Sequence, residues 1–516
     1  MRLRTAFRRL LLVLAFASRA YPGAPETAKP IPPQPKLGTV AVVVDKAEVK
    51  AGDKVVATVE KGRMFGVIER QGDLVEIQVC VGTDIRRGTL PTSAVKFLTD
   101  DDIDLAAEWL KVAKDLNPNL DVPACRAKLD ALIDRVAAAA AAGKTPRQKA
   151  RLIGVQLFER EGFTNKLGVK TPDHLLDLKQ GDCFGFSFLY LCIGQKPRMP
   201  LCLVTSPDHA FVRYEDRGER FNIETTQQGK LHDTDGYLRE PLGVQRFSQV
   251  GGTHLVSLPV PSALGALFYA WGKLRDDVGN SAEACEMYAK AAEINPRDSD
   301  AYYNWGLALG KMGKPVDACA MCAKAVETNP RHAGAYSNWG VALGAIGKPS
   351  EACEKYAKAV EIDSRLVEAY NNWGVALGKM GKPAEACEKY AMALKINPQY
   401  ARACFNWGVA LRAMGKAPEA CEKFAKAVEI NPRLAEAHCG WAAMLHVFGR
   451  YAQACEKFAT AIEINPQYAN AYFNWGLALK ALLKNAEAIE KLDKAAELDP
   501  ALRPKVEELR KELLGK

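Results

Sequence analysis

The sequence predicts a multidomain protein in which a small all-β barrel and an α+β domain precede an all-α solenoid. Short β-branched segments separated by glycine-containing turns fill residues 39–98, as expected for a small β domain. Residues 101–262 combine helical patterns with short apolar strands. Tryptophan then recurs every 34 residues within residues 265–502, which is the period of a helical repeat array.

The first 20 residues predict a secretory signal peptide. Basic residues precede the apolar segment Leu10–Ala17, and Ser18-Arg19-Ala20 offers small residues for cleavage. This apolar segment is too short to span a bilayer, which takes about 20 residues. We therefore expect an exported protein, periplasmic or secreted, with an uncleaved membrane anchor as the alternative. The proline-rich residues 21–38 predict an extended linker.

Charge and motifs exclude several classes of function. The formal net charge is +9, but five arginines and no acidic residue lie in the predicted signal peptide, and removing them lowers the charge to +4. This balance does not call for a nucleic-acid partner. No glycine-rich phosphate loop and no histidine cluster with metal-ligand spacing occurs in the sequence, so we expect neither a cofactor nor a metal.

The β region predicts five short strands with turns between them. Its pattern resembles bacterial SH3-like domains, which implies a small barrel whose targets are often peptides or cell-wall material. Phe65 and Phe97 are the only aromatic residues of this region. A spacer is therefore at least as good an interpretation as a binding module. Four of the expected strands are Val40–Val44, Val55–Val59, Phe65–Ile68 and Leu74–Val79.

The segment from Gln180 to Glu224 carries the candidate chemistry. Gly181 and Asp182 predict a turn and a helix N-cap, which places Cys183 in the first helical turn. The helix dipole favours a thiolate at that position. The residues that follow are apolar on nearly every face, so we expect this helix to lie in the core.

His209 and Glu224 are predicted on two strands joined by a tight hairpin. If Asp216 and Arg217 form the loop, His209 faces Glu224 directly, whereas a three-residue loop places them diagonally. The sequence therefore predicts proximity and leaves the register open. An imidazole oriented by a carboxylate can act as the base for a thiol. Taken singly, such a cysteine or histidine is more often structural, and only the ordered set favours catalysis.

Three segments resemble the transglutaminase-like superfamily, and within it the SirB-type bacterial branch. They are Gly181-Asp182-Cys183, the segment from Pro207 to Arg213, and the segment from Asn222 to Thr226. The resemblance covers residues 101–230 and implies an α+β, papain-like Cys-His-Asp arrangement. Carried over to this sequence, it assigns Cys183, His209 and Glu224. Glutamate stands where the superfamily usually has aspartate, and Asn222, two residues earlier on the same strand face, is the fallback.

The periodic region matches the tetratricopeptide repeat. Seven repeats fit between residues 265 and 502, and the polar residues 503–516 predict a capping helix, which a solenoid needs at an open end. Glycine follows most of the tryptophans, and proline ends most repeats. The tryptophans are Trp271, Trp305, Trp339, Trp373, Trp407, Trp441 and Trp475.

An Ala-Cys pair accounts for six of the fourteen cysteines. The pairs fall at one position of successive second helices, about 10 Å apart, which is too far for a disulfide. We expect these thiols to be reduced and buried in the core. They are Cys285, Cys319, Cys353, Cys387, Cys421 and Cys455.

Asparagine precedes five of the tryptophans. In the tetratricopeptide family this position faces the concave groove, and asparagine ladders there hold an extended peptide backbone, which implies a protein or peptide partner. The alternative is that each asparagine bonds to the adjacent repeat. The residues are Asn304, Asn338, Asn372, Asn406 and Asn474.

Two hypotheses of function follow. In the first, Cys183 attacks a protein carboxamide or peptide carbonyl, and water or an amine resolves the thioester. The Cys183 amide and the Gln180 side chain are candidates to stabilise the oxyanion. Protease, deamidase and transglutaminase differ in their acceptor and stay open. In the second hypothesis, the protein is a non-catalytic interaction scaffold with a vestigial enzyme domain.

Overall fold

The computed structural model describes residues 38–61, 63–99, 102–166, 171–206, 209–216, 218–233, 258 and 260–515 of the chain. The predicted signal peptide and all but the last residue of the predicted linker lie outside the described residues. The chain divides into two compact units, residues 1–331 and residues 332–516.

The first unit begins with a seven-stranded antiparallel sheet of order β3-β2-β6-β5-β4-β1-β7. The sequence predicted five strands. The four segments named from the sequence do not include Lys46–Ala51 (β2), Asp84–Pro91 (β6) and Val95–Leu98 (β7). In β2, buried Ala47 and Val49 alternate with charged residues, and neither β2 nor β6 contains a β-branched run. The strands are β1 Thr39–Val42, β2 Lys46–Ala51, β3 Lys54–Glu60, β4 Met64–Gln71, β5 Leu74–Val81, β6 Asp84–Pro91 and β7 Val95–Leu98.

An α+β domain follows. Asp104 and Asp121 cap the first two helices, and Thr145 forms a capping box with Gln148 at the third. The helices are α1 Leu105–Leu116, α2 Val122–Ala141, α3 Pro146–Gly154, which continues into the π-helical turn Val155–Arg160, α4 Pro172–Leu178 and α5 Cys183–Gln195. The strands are β8 Thr164–Asn165, β9 Gln180–Gly181, β10 Leu201–Ser206, β11 His209–Asp216, β12 Glu219–Glu224 and β13 Lys230–His232.

Helix α5 is the centre of this domain. Ten consecutive residues from Gly185 to Gly194 are buried, which confirms the prediction of a core helix. The antiparallel sheet β10-β11-β12-β13 packs on it. Alternate residues of β11 and β12, including Val212 and Ile223, enter the same hydrophobic core as Phe186 of α5.

Four helices of the repeat region complete the first unit: α6 Val260–Asp277, α7 Ser281–Ile294, α8 Ser299–Lys311 and α9 Pro315–Thr328. Ala263, Leu264 and Leu267 of α6 belong to the hydrophobic core of the α+β domain. The first repeat helix therefore packs in the core of that domain and is not an independent module.

The β sheet also packs on the repeats, through a buried polar contact at the end of α7. The carboxylate of Glu293, 4% exposed, accepts hydrogen bonds from Arg63 Nη2 at 2.6 Å and from the Cys80 amide at 2.7 Å. Gln78, also buried, donates through Nε2 to the carbonyl oxygen of Ala292 at 3.2 Å. Because this carbonyl lies in the last turn of α7, the β sheet satisfies part of the helix end.

The second unit consists of helical pairs and a final helix. Each pair repeats after 34 residues, with a 13-residue first helix and a 14-residue second helix. The helices are α10 Ala333–Ala345, α11 Pro349–Ile362, α12 Val367–Lys379, α13 Pro383–Ile396, α14 Ala401–Ala413, α15 Ala417–Ile430, α16 Ala435–Val447, α17 Tyr451–Ile464, α18 Ala469–Ala481, α19 Asn485–Leu498 and α20 Arg503–Leu513.

Four tryptophans of this unit, Trp373, Trp407, Trp441 and Trp475, lie between a lysine and a thiol. The ammonium group of Lys389 lies 4.1 Å from the ring centroid of Trp373, which also packs with Cys353 of the preceding pair. Equivalent lysine contacts of 4.0–4.8 Å occur at Trp339, Trp407, Trp441 and Trp475. Since such a contact contributes roughly 0.5–1 kcal/mol at an exposed site, the repeated set stabilises the helix pairs together.

The six repeat cysteines are free thiols, as expected, but they are half-buried and not part of the fully buried core. The alanine before each one is buried instead, for example Ala352 and Ala386 at 0% exposure. Each cysteine follows its alanine by one residue, so its side chain points about 100° further around the helix, toward the next helix pair.

No helix of the described residues combines the length and the apolar character that crossing a membrane would require.

Candidate functional site

The candidate nucleophile lies where the sequence predicts it. Cys183 is the first residue of α5, and its side chain is half-buried. Asp182 caps the helix: its Oδ1 accepts from the amides of Phe184 at 3.1 Å and Gly185 at 2.9 Å. The cap fixes the backbone on either side of the thiol.

The strand that precedes this helix passes so close to it that position 181 has little room for a side chain. Gln180 and Gly181 form β9, which pairs in parallel with Thr164 and Asn165 of β8. A Cβ atom at Gly181 would lie 3.0 Å from the Phe186 ring, so glycine lets β9 pass close to α5. Gln180, predicted as oxyanion support, is half-buried and three residues before Cys183.

Two buried hydroxyl groups hold the backbone of Cys183. Ser187 donates through Oγ to the Cys183 carbonyl oxygen at 2.6 Å, and Thr225 donates through Oγ1 to the same oxygen at 3.3 Å. The two hydroxyl oxygens are 3.3 Å apart, and both side chains are 0% exposed. Thr225 directly follows Glu224, so the end of β12 is attached to the first turn of α5.

The candidate carboxylate is fully buried. Glu224 is the last residue of β12 and pairs with Lys230 of β13. Its Oε1 accepts from the amide of Thr226 at 3.1 Å and from Thr226 Oγ1 at 2.7 Å. These bonds fix the orientation of the carboxylate, because a buried carboxylate is stable only with hydrogen-bond donors.

His209 is the first residue of β11, where its backbone pairs with Ser206 of β10; its side chain lies outside the described atoms. Asp216 pairs with Glu219, which leaves residues 217 and 218 as the hairpin loop, and Val212 pairs with Ile223. The alternative with Asp216 and Arg217 as loop residues is therefore not observed. Continued in this register, the position opposite Glu224 is residue 211, which makes His209 its diagonal neighbour.

Asn222, the alternative to Glu224 as the residue that orients His209, forms a hydrogen bond within the sheet. Arg213 donates from Nε to Asn222 Oδ1 at 2.8 Å, and both side chains are buried. The two residues are register partners on β11 and β12. The amide oxygen of Asn222 thus binds the buried guanidinium of Arg213.

The asparagines of the repeats divide between the two sequence interpretations. Asn304 donates to Tyr269 at 3.2 Å, and Asn406 donates to Asn371 at 2.9 Å, each reaching the preceding helix pair. Asn474 donates to the carbonyl of Asn470 in its own helix, and Asn372 accepts from Asn371. Within the described residues the buried Nδ2 of Asn338 has no partner. Neighbour bonding thus accounts for Asn304 and Asn406.

Sequence reasoning missed the residues that connect these elements. Thr225 and Ser187 were not singled out. Ser187 is a polar residue inside an apolar helix, which is a signal of a buried hydrogen-bonding group, whereas Thr225 lies in a polar segment and carries no such signal. Arg213 entered the prediction only as the end of the segment that resembles the transglutaminase-like superfamily. Among the described residues, no group of three or more His, Cys, Asp or Glu side chains is placed to hold a metal ion.

The fold and the candidate site define a helical repeat protein that carries an α+β domain. A model of the transglutaminase-like superfamily matches residues 123–241, and tetratricopeptide repeat models match residues 300–332, 367–400 and 401–434. The chain therefore contains a transglutaminase-like domain followed by tetratricopeptide repeats, which are protein-interaction modules. The SH3-like and SirB-type assignments stay predictions.

Several solved structures are similar to the repeat region. Pseudomonas aeruginosa pilF is 25% identical, covering 40% of this chain and 95% of its own, with a TM-score of 0.37. YrrB, a tetratricopeptide repeat protein with an unusual peptide-binding site, is 26% identical over 36% of this chain and 96% of its own, with a TM-score of 0.31. A tetratricopeptide repeat protein from Parabacteroides merdae is 18% identical over 48% and 98%, with a TM-score of 0.40. No curated protein matches the chain.

Proposed function

We propose that the transglutaminase-like domain is a cysteine acyl transferase that acts on protein or peptide carboxamides. The observation that carries the proposal is the hydrogen bond from Thr225 to the Cys183 carbonyl, because it attaches the strand end of Glu224 to the helix start of Cys183. His209 begins the neighbouring strand at the same end of the sheet. This backbone arrangement supports grouping the three candidates in one site.

The reaction divides into two proton-balanced steps. The Cys183 thiolate attacks the carbonyl carbon, and the C–N bond breaks as the His209 imidazolium gives its proton to the leaving amine or ammonia. In the second step, water or an amine attacks the thioester, His209 takes the proton, and the thiolate leaves. Glu224 orients His209 and stabilises its protonated form. The Cys183 amide and Gln180 are the candidates to stabilise the oxyanion.

Alkylation tests the nucleophile without knowledge of the substrate. The native protein is treated with a small iodoacetamide probe between pH 5 and 9, and each cysteine is followed by peptide mass spectrometry. We expect Cys183 alone to react fast at pH 6 and His209→Ala to slow it. The repeat thiols provide internal controls, since burial raises the pKa of Cys285 to about 11 and also raises the pKa of Cys353. Cys183 as slow as these thiols would overturn the proposal.

The acyl acceptor decides between the three reaction types. A protein glutamine substrate that releases ammonia and gains a free carboxylate indicates a deamidase, and one that gains an added amine indicates a transglutaminase. Cleavage of the backbone indicates a protease. Each product has its own mass change, so one mass-spectrometric assay with and without a primary amine distinguishes them.

We further propose that the repeats recruit a protein or peptide and that the chain is exported. The matches of tetratricopeptide repeat models to residues 300–332, 367–400 and 401–434 support the first part. Linear peptides selected from a library on the full chain should bind Asn338→Ala more weakly; unchanged binding would exclude this residue from the groove.

Export predicts a mature protein that begins at Tyr21, which N-terminal sequencing of the extracytoplasmic fraction checks.

A further inference from the structure

The carbonyl oxygen of Cys183 receives more hydrogen bonds than a helix alone would give it. Ser187 Oγ lies at 2.6 Å and Thr225 Oγ1 at 3.3 Å from it, and both side chains are fully buried. The hydroxyl of Ser187 comes from the next turn of the same helix. The hydroxyl of Thr225 comes from another element, the turn that ends β12, so this bond crosses between the two parts of the site.

The same short turn also holds the candidate acid. Glu224, Thr225 and Thr226 are consecutive: Thr226 donates twice to the Glu224 carboxylate, and Thr225 donates to Cys183. The position of the carboxylate relative to the thiol is therefore set through one backbone peptide unit and one hydroxyl. A shift of this turn would move the acid away from the helix that carries the nucleophile.

We propose that Thr225 is a positioning residue that sets the distance between Cys183 and the Glu224–His209 pair, with Ser187 as its partner. Thr225 does not touch the substrate; it acts through the main chain of Cys183. The proposal rests on the acyl-transfer function proposed above. Effective acyl transfer requires the nucleophile and its base within hydrogen-bond reach, and displacements of about 1 Å cost on the order of a hundredfold in rate.

Thr225→Val tests this role, because valine keeps the branched shape and removes the hydroxyl. We expect the alkylation rate of Cys183 at pH 6 to fall about tenfold, which corresponds to a shift of about one pH unit in the profile. Thr225→Ser keeps the hydroxyl and should restore the rate to within about twofold. Ser187→Ala, which removes the second hydroxyl, should shift the profile in the same direction.

Thr328→Val is the matched control. Thr328 donates its hydroxyl to backbone carbonyl oxygens of α9 at 2.9 and 3.0 Å, so the variant loses a bond of the same kind away from the site. It should lower the thermal midpoint and leave the Cys183 profile unchanged. A positioning role changes the pH profile, whereas a structural role changes only the midpoint.

The outcomes separate this proposal from the proposed function. Slow Cys183 alkylation in the parent protein overturns the acyl-transfer function and the positioning role with it. Fast, His209-dependent alkylation with an unchanged profile in both Thr225→Val and Ser187→Ala overturns only the positioning role. If Thr225→Val does not fold, the other two variants decide. A shifted pH profile of Cys183 alkylation in Ser187→Ala with an unshifted profile in Thr225→Ser supports the proposal, and any other result contradicts it.

Discussion

Arg213 donates from Nε to Asn222 Oδ1 over 2.8 Å, and the two residues are direct partners across β11 and β12. Arg213 is 1% exposed and Asn222 is 2% exposed. A buried guanidinium requires acceptors, and this amide oxygen is one of them. Asn222 therefore holds the buried guanidinium within the sheet, and Glu224 stays the proposed residue that orients His209.

Replacing the candidate acid should weaken the nucleophile. Glu224→Gln keeps the size of the side chain and removes its charge, so a protonated His209 loses its stabilising partner. We expect the Cys183 alkylation rate at pH 6 to fall by about ten- to a hundredfold. Glu219→Gln, at the other end of the same strand and in an exposed ion pair with Arg147, is the control and should react like the parent. Equal rates in the two variants would remove Glu224 from the site.

The contact between the β sheet and the repeats predicts a pH effect. Burial raises the pKa of Glu293 above its ordinary value of 4.5, although Arg63 and the Cys80 amide oppose the shift. The folded state thus binds this proton more tightly than the unfolded state, so the contribution of the group is most favourable at low pH and declines as pH rises through the folded pKa. The stability of the parent relative to Glu293→Gln should therefore fall between pH 4 and pH 8.

Urea unfolding of both proteins at pH 4, 6 and 8 measures this difference. Glu327→Gln is the control, because the pKa of that exposed carboxyl is lowered, chiefly by its hydrogen bond to Lys324, and its pH trend should have the opposite sign. If the parent becomes more stable relative to Glu293→Gln as pH rises, the raised pKa of Glu293 is contradicted.

Two glycines of one helix should respond oppositely to alanine. A Cβ at Gly374 would lie 2.5 Å from the Tyr390 ring, whereas a Cβ at Gly378 meets nothing within 4 Å. We expect Gly374→Ala to destabilise the protein by about 2 kcal/mol through overpacking. Gly378→Ala should stabilise it by about 0.5 kcal/mol, because alanine restricts the unfolded chain. Denaturant unfolding checks both, and effects of the same sign would refute the packing between the helices of this pair.

Leu483 occupies a backbone conformation that suits glycine. Its φ is 60° and it is 85% exposed, while the equivalent turn of the preceding pair has Gly449 at φ 72°. Leu483→Gly should raise the free energy of unfolding by about 1 kcal/mol by removing this strain. The reciprocal change, Gly449→Leu, should lower it by about the same amount. A loss of stability in Leu483→Gly would show that leucine makes a compensating contact.

Local rules in the sequence predicted the helices and the position of the nucleophile. The N-cap at Asp182 is determined by a few neighbouring residues, so it can be inferred from residue types alone. The 34-residue period is likewise a direct property of the sequence. These predictions required no knowledge of which segments meet in space.

Contacts between distant segments were beyond such rules. The hairpin register depends on which two residues form the loop. The observed loop ends at Gly218, at φ 85°, one residue later than in the hypothesis with Asp216 and Arg217 as loop residues. The contact of Gln78 with Ala292 joins residues 214 apart, which no local pattern encodes. The Thr225–Cys183 bond depends in turn on the strand register, so the connection within the candidate site could not be derived from sequence.

The half-buried repeat thiols have a consequence for kinetics. Cys353, Cys387, Cys421 and Cys455 each pack against the tryptophan of the following helix pair. A reagent can reach such a thiol fully only when that boundary opens, so its labelling rate reports the local opening free energy. The second unit thus carries a native reporter at each of these four boundaries. Labelling under increasing denaturant would order these boundaries from the first to fray to the last.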